Sequence, residues 1–310
     1  MRLVFAGTPA VAVPTLEALV IAGHEVVAVV TRPDAPLGRK RVLTPSPIAV
    51  AAERLGLPIL KAARLDDDAT ARIVALRAEL GVIVAYGGLV REPLLSAPEH
   101  GWINLHFSLL PAWRGAAPVQ RSVMAGDALT GASVFQLVPA LDAGDVFATL
   151  ETPIARGETA GELLDRLALS GAPLTLEVVD SIAAGTATAA PQTGEVSLAP
   201  KLDGLAGRID WRRPTTEVWA QIRGVTPEPG AYTVIDDTRL KIHRAEPTSV
   251  GSGSTPPEPG GIMLVDGRVV VGTADGLLEL LEVQPAGRTS MGAADWWRGV
   301  ATGADRLVAA

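Results

Sequence analysis

The sequence predicts an α/β protein in which a Rossmann-like, mostly parallel sheet is followed by a small OB-like β-barrel. Three observations support this fold class. Residues 1–183 alternate strand-like and helix-like segments, an order typical of parallel sheets covered by helices on both faces. A stretch of small and polar residues follows near residue 185. The remaining residues carry short strand-like runs separated by turn signals, which favour a small barrel.

The alternation in the first part places individual elements. Apolar β-branched runs predict strands, and amphipathic runs bounded by Pro, Asp or Gly predict helices. The predicted strands are Arg2–Ala6, Val26–Val30, Val82–Ala85, Trp102–Leu105, Ser133–Val138 and Val146–Leu150. The predicted helices are Val13–Ala22, Pro47–Leu55, Ala69–Leu80, Val119–Ala125 and Thr159–Ala183. Since parallel sheets bind ligands beyond the carboxyl ends of their strands, we expect the site in the loops that follow these strands.

The second part of the chain begins after a predicted linker. The predicted limits are 1–185 for the first domain, 186–205 for the linker and 206–310 for the barrel. Thr215–Ile222 is expected to be a helix, and hairpin turns are expected at Asp236-Asp237 and Asp266-Gly267. We expect Trp296 and Trp297 to pack a terminal helix on the barrel, although such rings also stack on RNA bases.

Composition excludes several classes of protein. The 310 residues include 34 acidic and 27 basic side chains, so the formal net charge is -7. This charge argues against nucleic-acid binding through a globally basic surface but leaves a local basic patch open. The absence of Cys excludes disulfides and fits the cytoplasm. The sequence contains no run of about 18 apolar residues, so it predicts no membrane helix. It also contains no cluster of His, Asp and Glu with the spacing of a metal site.

The densest cluster of polar residues surrounds Asn104, which is the only Asn of the chain, and His106. If Trp102–Leu105 is a strand, these two side chains point to the same side near its carboxyl end. An amide beside an imidazole can hold a carbonyl oxygen and stabilise the negative charge that develops there during acyl transfer. A buried polar pair that satisfies a loop backbone is an equally good interpretation of this spacing.

Asp142 lies in a second polar segment, Leu141–Asp145. An Asp in a Gly-containing turn after a strand is most often a turn former. The functional interpretation is that Asp142 meets His106 across the strand ends, where its charge would favour a protonated imidazole and orient the ring.

The segment Thr31–Arg41 is basic and too rich in Pro and Gly for a helix. It carries Arg32, Arg39, Lys40 and Arg41 against a single acid, Asp34. A solvated surface loop is the ordinary explanation for such a run of charges. The alternative is an arm whose guanidinium groups reach RNA phosphates and unstacked bases.

Several of these segments resemble, in order, those of the methionyl-tRNA formyltransferase family. They are AGTP at 6–9, TRPDAPLGRKR at 31–41, PSP at 45–47, AYG at 85–87, INLHFSLLPAWRGAAP at 103–118 and LDAGD at 141–145. RIDW at 208–211 and QPAGR at 284–288 extend the resemblance into the second part. The resemblance therefore spans nearly the whole chain and is strongest over residues 1–150.

The resemblance implies transfer of the formyl group of 10-formyltetrahydrofolate to the α-amino group of methionyl initiator tRNA, for translation initiation. It implies that Asn104, His106 and Asp142 are catalytic, with no metal. Asn104 and His106 would stabilise the oxyanion, and Asp142 would keep His106 charged or help to move the proton. By the same resemblance, Ser108, Leu109, Leu110 and Pro111 line the folate site, and Arg39, Lys40 and Arg41 inspect the acceptor stem. The barrel would grip the tRNA, and we expect a monomer.

Other functions share part of this pattern. A formyltransferase for a small amine, such as an amino sugar nucleotide or glycinamide ribonucleotide, would use the same three catalytic residues, and so would a formyltetrahydrofolate hydrolase. Neither should need both the basic segment and a barrel. A non-catalytic RNA-binding module is an alternative of another class, against which the intact catalytic residues argue.

Overall fold

The computed structural model describes residues 1–38, 40–250, 256–300 and 307–309. Its strands are β1 (Arg2–Gly7), β2 (Glu25–Thr31), β3 (Ala35–Leu37), β4 (Val42–Thr44), β5 (Ile59–Lys61), β6 (Leu80–Val84), β7 (Trp102–His106), β8 (Arg114–Gly115), β9 (Leu129–Gln136), β10 (Val146–Pro153), β11 (Leu198–Ala199), β12 (Ala231–Ile235), β13 (Thr238–Thr248), β14 (Gly261–Val265), β15 (Arg268–Gly272), β16 (Leu277–Pro285), β17 (Met291–Gly292) and β18 (Leu307–Val308). Its α-helices are α1 (Val13–Ile21), α2 (Pro47–Arg54), α3 (Asp67–Ala75), α4 (Pro118–Ala125), α5 (Ala160–Ala183), α6 (Thr215–Gly224) and α7 (Ala293–Val300). Two short 3-10 helices span Ala10–Ala12 and Gly204–Gly207.

The chain divides into two units, of which unit 1 contains Met1–Pro118, Leu129–Thr152 and Leu164–Ala199. Unit 1 is built on a seven-stranded sheet in the order β10-β9-β7-β6-β1-β2-β5. The strands from β7 to β5 in this order run parallel, and β9 runs antiparallel to β7. Every residue of β6 is buried, as expected for a central strand covered on both faces. The predicted Rossmann-like, mostly parallel sheet is thereby confirmed.

The helices of unit 1 begin where the sequence places capping residues. The side chain of Ser46 accepts a hydrogen bond from the Ala49 amide at the start of α2, and Asp66 accepts one from Ala69 at the start of α3. The predicted extension of α3 to Leu80 was wrong, because Arg77 has a left-handed backbone and Leu80 already belongs to β6. None of the described helices has both the length and the apolar character needed to cross a membrane.

Strand β9 starts four residues earlier than predicted, at Leu129 instead of Ser133. The first four residues of this strand were not predicted because they include Gly131, and a glycine does not indicate a strand. A Cβ at this position would lie 1.9 Å from the carbonyl oxygen of Leu150 and 2.6 Å from the side chain of Leu109. Gly131 therefore permits a close approach of neighbouring segments that no larger residue would allow.

The basic segment Thr31–Arg41 leads into a small hairpin. Strands β3 and β4 pair antiparallel, with Leu37 opposite Val42. Lys40 and Arg41 lie in the turn and are exposed, and Arg41 has a left-handed backbone. Arg39 lies outside the described residues. The absence of a helix was predicted correctly, whereas the strands that flank the basic turn were not predicted.

Unit 2 contains Val119–Ala128, Pro153–Leu163 and Pro200–Ala310 and is built on a curled antiparallel sheet, a half-barrel. Its path is β12-β13-β16-β15-β14-β18, with β17 paired to β16. Trp296 and Trp297 of α7 are buried in its core together with Trp211, which confirms the packing interpretation of the tryptophan pair. The predicted fold class is thus confirmed for both parts, while the predicted limits at residues 185 and 205 stay predictions.

Candidate active site

A cleft of 510 Å³ opens in unit 1 at the carboxyl ends of β6 and β7. Its walls are the loop at 85–90 after β6, the stretch at 115–118 from the end of β8 to the start of α4, and the loop at 137–142 after β9. The lining is mostly apolar, and the polar side chains that reach it include Asn104, His106 and Asp142. The structure therefore brings the three predicted catalytic residues together in one cleft, at the edge where a parallel sheet is expected to bind its ligand.

His106 is the last residue of β7, and its side chain is only 7% exposed. Its Nε2 atom lies 2.9 Å from the carbonyl oxygen of Trp113. Since a carbonyl oxygen only accepts hydrogen bonds, Nε2 carries a hydrogen in both protonation states of the ring. The nitrogen that gains or loses a proton is therefore Nδ1, which lies 3.9 Å from Oδ2 of Asp142.

The surroundings of His106 set its protonation state. Burial lowers the pKa of His106 below its ordinary value, because a charged ring loses the solvation of water. The negative charge of Asp142 and the hydrogen bond to the Trp113 carbonyl both raise this pKa, but they offset the effect of burial only in part. Burial therefore favours the neutral imidazole, in which Nδ1 carries no hydrogen and faces the carboxylate of Asp142.

The position of Asp142 is fixed by a hydrogen bond to its side chain and by the close packing of its turn. Its Oδ2 atom accepts a hydrogen bond of 2.8 Å from the Gly115 amide, and its own backbone is left-handed. The turn that carries Asp142 packs closely on the end of β9, since a Cβ at Gly144 would lie 1.7 Å from the Gln136 carbonyl oxygen. The Gly of the LDAGD segment is thus required by a close backbone approach.

Asn104 lies in the middle of β7, paired with Ile83 of β6 on one side and with Phe135 of β9 on the other. Its Oδ1 atom is buried and has no hydrogen-bond partner within the described part of the protein. Such an atom costs about 1–3 kcal/mol when nothing satisfies it. A buried amide oxygen at a cleft that lacks a partner is the expected state of an acceptor that a donor group of a ligand completes.

The predicted folate-binding residues are not among those that line the cleft. Ser108, Leu110 and Pro111 are buried, and Leu109 is half-buried. The Ser108 hydroxyl donates to the Ala112 carbonyl at 2.6 Å, and the Ser108 carbonyl accepts a hydrogen bond from the Ser133 hydroxyl at 2.7 Å. This segment thus packs against β9 beside the cleft, and its role in binding folate stays a prediction.

Two of the predicted tRNA-binding residues, Lys40 and Arg41, lie in the described part of the chain, and they do not line the cleft either. They lie in the turn between β3 and β4, beyond the carboxyl end of β2. In the described part of the chain, no group of three or more His, Asp and Glu residues could hold a metal ion.

Three parts of the site could not be predicted from the sequence. Ala85 and Trp113, both in loops at the cleft, have left-handed backbones although neither is a glycine. Such conformations are uncommon and cluster at functional sites, but a local sequence does not signal them. Gln192 is the third, because it lies in a segment predicted to be a linker and yet donates hydrogen bonds to the Asp142 turn.

A cleft at the carboxyl edge of such a sheet, with an amide beside a carboxylate-imidazole pair, is an arrangement typical of acyl-transfer enzymes. The family model described as "Formyl transferase" matches residues 1–179, and "Formyl transferase, C-terminal domain" matches residues 201–301. The methionyl-tRNA formyltransferase of Clavibacter sepedonicus is 65% identical over 302 residues, which cover 97% of this chain and 98% of the relative. That of Leifsonia xyli is 60% identical, covering 96% and 97%. The chain belongs to the formyltransferase family, among the methionyl-tRNA formyltransferases.

Solved structures at lower identity show the same fold. An N-formyltransferase from Helicobacter canadensis, in complex with folinic acid and dTDP-3-aminofucose, has a TM-score of 0.70 at 17% identity, covering 92% of this chain and 99% of that one. HypX from Aquifex aeolicus, in complex with tetrahydrofolic acid, has a TM-score of 0.65 at 16% identity, covering 98% and 48%. At these identities, the likeness is evidence for the fold alone.

Proposed function

We propose that this chain transfers the formyl group of 10-formyltetrahydrofolate to the α-amino group of methionyl initiator tRNA, the step that prepares this tRNA for translation initiation. The observation that carries the proposal is the cleft with Asn104, His106 and Asp142, in a chain 65% identical to a methionyl-tRNA formyltransferase over nearly its full length. We include in this proposal that the protein is a cytoplasmic monomer.

The cleft suits a folate co-substrate. Its volume of 510 Å³ is in the usual range for a small-molecule site, and its lining is mainly apolar, with a few polar groups. The Oδ1 atom of Asn104 is buried without a partner in the described part of the protein, so a donor group of a ligand would complete its hydrogen bonding. The chemistry proposed for the cleft is formyl transfer between two bound substrates, with His106 as the group that handles the proton.

The proposed reaction begins with the neutral α-amino nitrogen, whose lone pair forms a bond to the formyl carbon. The electron pair of the carbonyl bond moves to the formyl oxygen, and the amide of Asn104 stabilises the charge that develops there. As the nitrogen becomes positive, Nδ1 of His106 takes its proton. The low pKa of His106 keeps Nδ1 free for this step.

The second half of the reaction returns the proton. The electron pair on the formyl oxygen re-forms the carbonyl bond as the bond between the formyl carbon and the folate nitrogen breaks. The pair of the broken bond stays on that nitrogen, and Nδ1 of His106 donates the proton to it. Between the two steps His106 is an imidazolium, and the carboxylate of Asp142, 3.9 Å away, stabilises this charge. The geometry thus favours a His106 that is charged only between the two steps, with Asp142 stabilising that charge, over a His106 that is always charged.

The proposal assigns recognition of the tRNA to two basic surfaces. The first is the turn between β3 and β4, with Arg39, Lys40 and Arg41 expected to meet the acceptor stem. The second is on unit 2, whose strand β13 carries Arg239 and Lys241 on one side of the sheet. We retain 1–185 as the proposed catalytic domain, 186–205 as the linker and 206–310 as the tRNA-binding domain.

The test offers 10-formyltetrahydrofolate with charged initiator tRNA, charged elongator tRNA or free methionine as the acceptor. Formylation of the initiator tRNA alone would support the proposal. Equal formylation of free amines would indicate a small-amine formyltransferase, and release of tetrahydrofolate without any acceptor would indicate a hydrolase. Absence of turnover in all mixtures would favour a non-catalytic RNA-binding protein.

A further inference from the structure

The side chain of Gln192 joins the two loops that hold His106 and Asp142. Its Nε2 atom donates to the carbonyl oxygens of Asp142 and Gly144, at 2.8 Å each. Its Oε1 atom accepts from Nε and Nη2 of Arg114, at 3.1 and 2.6 Å. The two hydrogens of the amide and both lone pairs of its oxygen are therefore used.

Arg114 belongs to the loop that orients His106. The preceding residue, Trp113, supplies the carbonyl that fixes Nε2 of His106, and the following residue, Gly115, supplies the amide that binds Asp142. Gln192 thus closes a ring of contacts that runs from His106 through the loop to the Asp142 turn. Without Gln192, the hydrogen bond from Gly115 would be the only one of these contacts between the loop and the turn.

The segment that carries Gln192 is itself anchored on both sides. Ala190 forms two backbone hydrogen bonds with Val146, at 2.8 and 3.0 Å. Ser197 accepts a hydrogen bond of 2.9 Å from the Trp113 amide, and β11 pairs parallel with β8. Gln192 therefore projects from a fixed backbone, which is what a side chain needs in order to position other groups.

We propose that Gln192 is a positioning residue, which together with Arg114 sets the separation between His106 and Asp142. This inference deepens the proposed function, on which its kinetic test depends. Its role is indirect, since Gln192 is not among the residues that line the cleft. No shorter or purely accepting side chain can replace it, because both carbonyls of the Asp142 turn need a donor at the same time.

The decisive variant is Gln192→Met, which keeps the length of the side chain and adds no charge. We expect kcat to fall about tenfold, since a small displacement of a catalytic group has effects of this order. KM for both substrates should change less than kcat, because the walls of the cleft remain. The pKa of His106 should fall, because a loosened turn places the negative charge of Asp142 further from Nδ1.

A matched control is Gln221→Met in unit 2. The Nε2 atom of Gln221 also donates to two backbone carbonyls, those of Ala206 and Arg208, at 2.9 Å each. This variant removes the same kind of hydrogen bonds at a residue that does not line the cleft, so it should lower Tm without changing kcat or the titration of His106. The control therefore distinguishes an effect of lower protein stability from an effect of displacing Asp142 relative to His106.

Two more variants separate the two halves of the amide. Gln192→Glu retains an acceptor for Arg114 but removes both donors, and it should lower kcat as much as Gln192→Met does. Arg114→Met leaves the donors in place, and in combination with Gln192→Met its effect on kcat should be less than additive, because both act through one chain of contacts. The titration experiment is kept to Gln192→Met, since the other two variants change the charge near His106.

The pKa of His106 is measured by NMR titration of the imidazole signals, with His24, His100 and His243 as internal references. A lower pKa for His106 alone, together with a fall in kcat, supports the positioning role. An unchanged titration in a folded Gln192→Met protein would overturn it, whatever happens to Tm. Because this titration needs no substrate, it decides the role of Gln192 even if no formylation of initiator tRNA is found.

Discussion

Asp142→Asn isolates the charge of the carboxylate from its shape. An Asn at this position can still accept the hydrogen bond from the Gly115 amide, now 2.8 Å long, so the loop should keep its place. The variant removes only the negative charge that faces Nδ1 of His106. A matched control is Asp145→Asn, which removes a charge from the same turn at an exposed position.

The expected effect follows from the distance of 3.9 Å between Nδ1 of His106 and Oδ2 of Asp142. At this separation, two unit charges attract by about 4 kcal/mol at an effective dielectric constant of about 20, and by about 1 kcal/mol in bulk water. If His106 becomes an imidazolium during the reaction, the loss of this attraction slows the reaction by about sixfold to about a thousandfold. Both side chains are largely buried, so the larger value is the better expectation.

The assay is single-turnover formylation of initiator tRNA, measured across a range of pH. His106 must be neutral to accept a proton, so the rate should rise as the pH rises through its pKa. Without Asp142 this pKa is lower, since the carboxylate favours the charged ring. In Asp142→Asn the rise should therefore occur at lower pH, with a lower plateau. A rate and pH profile equal to those of Asp145→Asn would refute the role of the charge.

Three further predictions concern other parts of the protein. Asn104→Ala should lower single-turnover formylation on the order of a hundredfold while Tm stays near that of the unchanged protein, and a near-normal rate would contradict its assignment. Gly144→Ala should lower the free energy of unfolding by about 1–3 kcal/mol in urea denaturation, because the new Cβ would meet the Gln136 carbonyl; an unchanged midpoint would show that the turn can move. Neutralising Arg39–Arg41 should raise KM for tRNA and flatten its dependence on salt, and weaker binding of folate in the same variant would argue against a role confined to RNA.

The features predicted best from the sequence are those with a local periodic signal. β-branched runs place β1, β2, β6 and β7, and the period of two along β7 places Asn104 and His106 on the same side. The meeting of His106 with Asp142 was predicted from strand ends, but β9 runs antiparallel to β7, so Asp142 reaches His106 through the loop at 137–142. The strands and the shared side of Asn104 and His106 need only backbone geometry, whereas the course of the 137–142 loop does not follow from it.

The features that could not be predicted depend on residues far apart in the chain. Gln192 lies 50 residues from Asp142, in a polar stretch without periodicity, and nothing local distinguishes its amide from that of a solvated side chain. The beginning of β9 was not predicted because it contains Gly131. A glycine is required there by the close approach of Leu150 and Leu109, which lie on two other segments. Such close approaches exist only after the sheet has formed.

The hydrogen bond between Nε2 of His106 and the Trp113 carbonyl restricts the path of the proton. An imidazole that acts as a proton relay accepts a proton at one ring nitrogen and releases a proton from the other. In this protein Nε2 donates its hydrogen to the Trp113 carbonyl, so Nδ1 is the one ring nitrogen that can exchange a proton with a substrate. In the proposed reaction, the proton that leaves the incoming amine would therefore be the one delivered to the departing nitrogen, and both nitrogens would have to approach the same edge of the ring. Under this proposal, the orientation of one imidazole would determine on which side of the formyl group the two substrates meet.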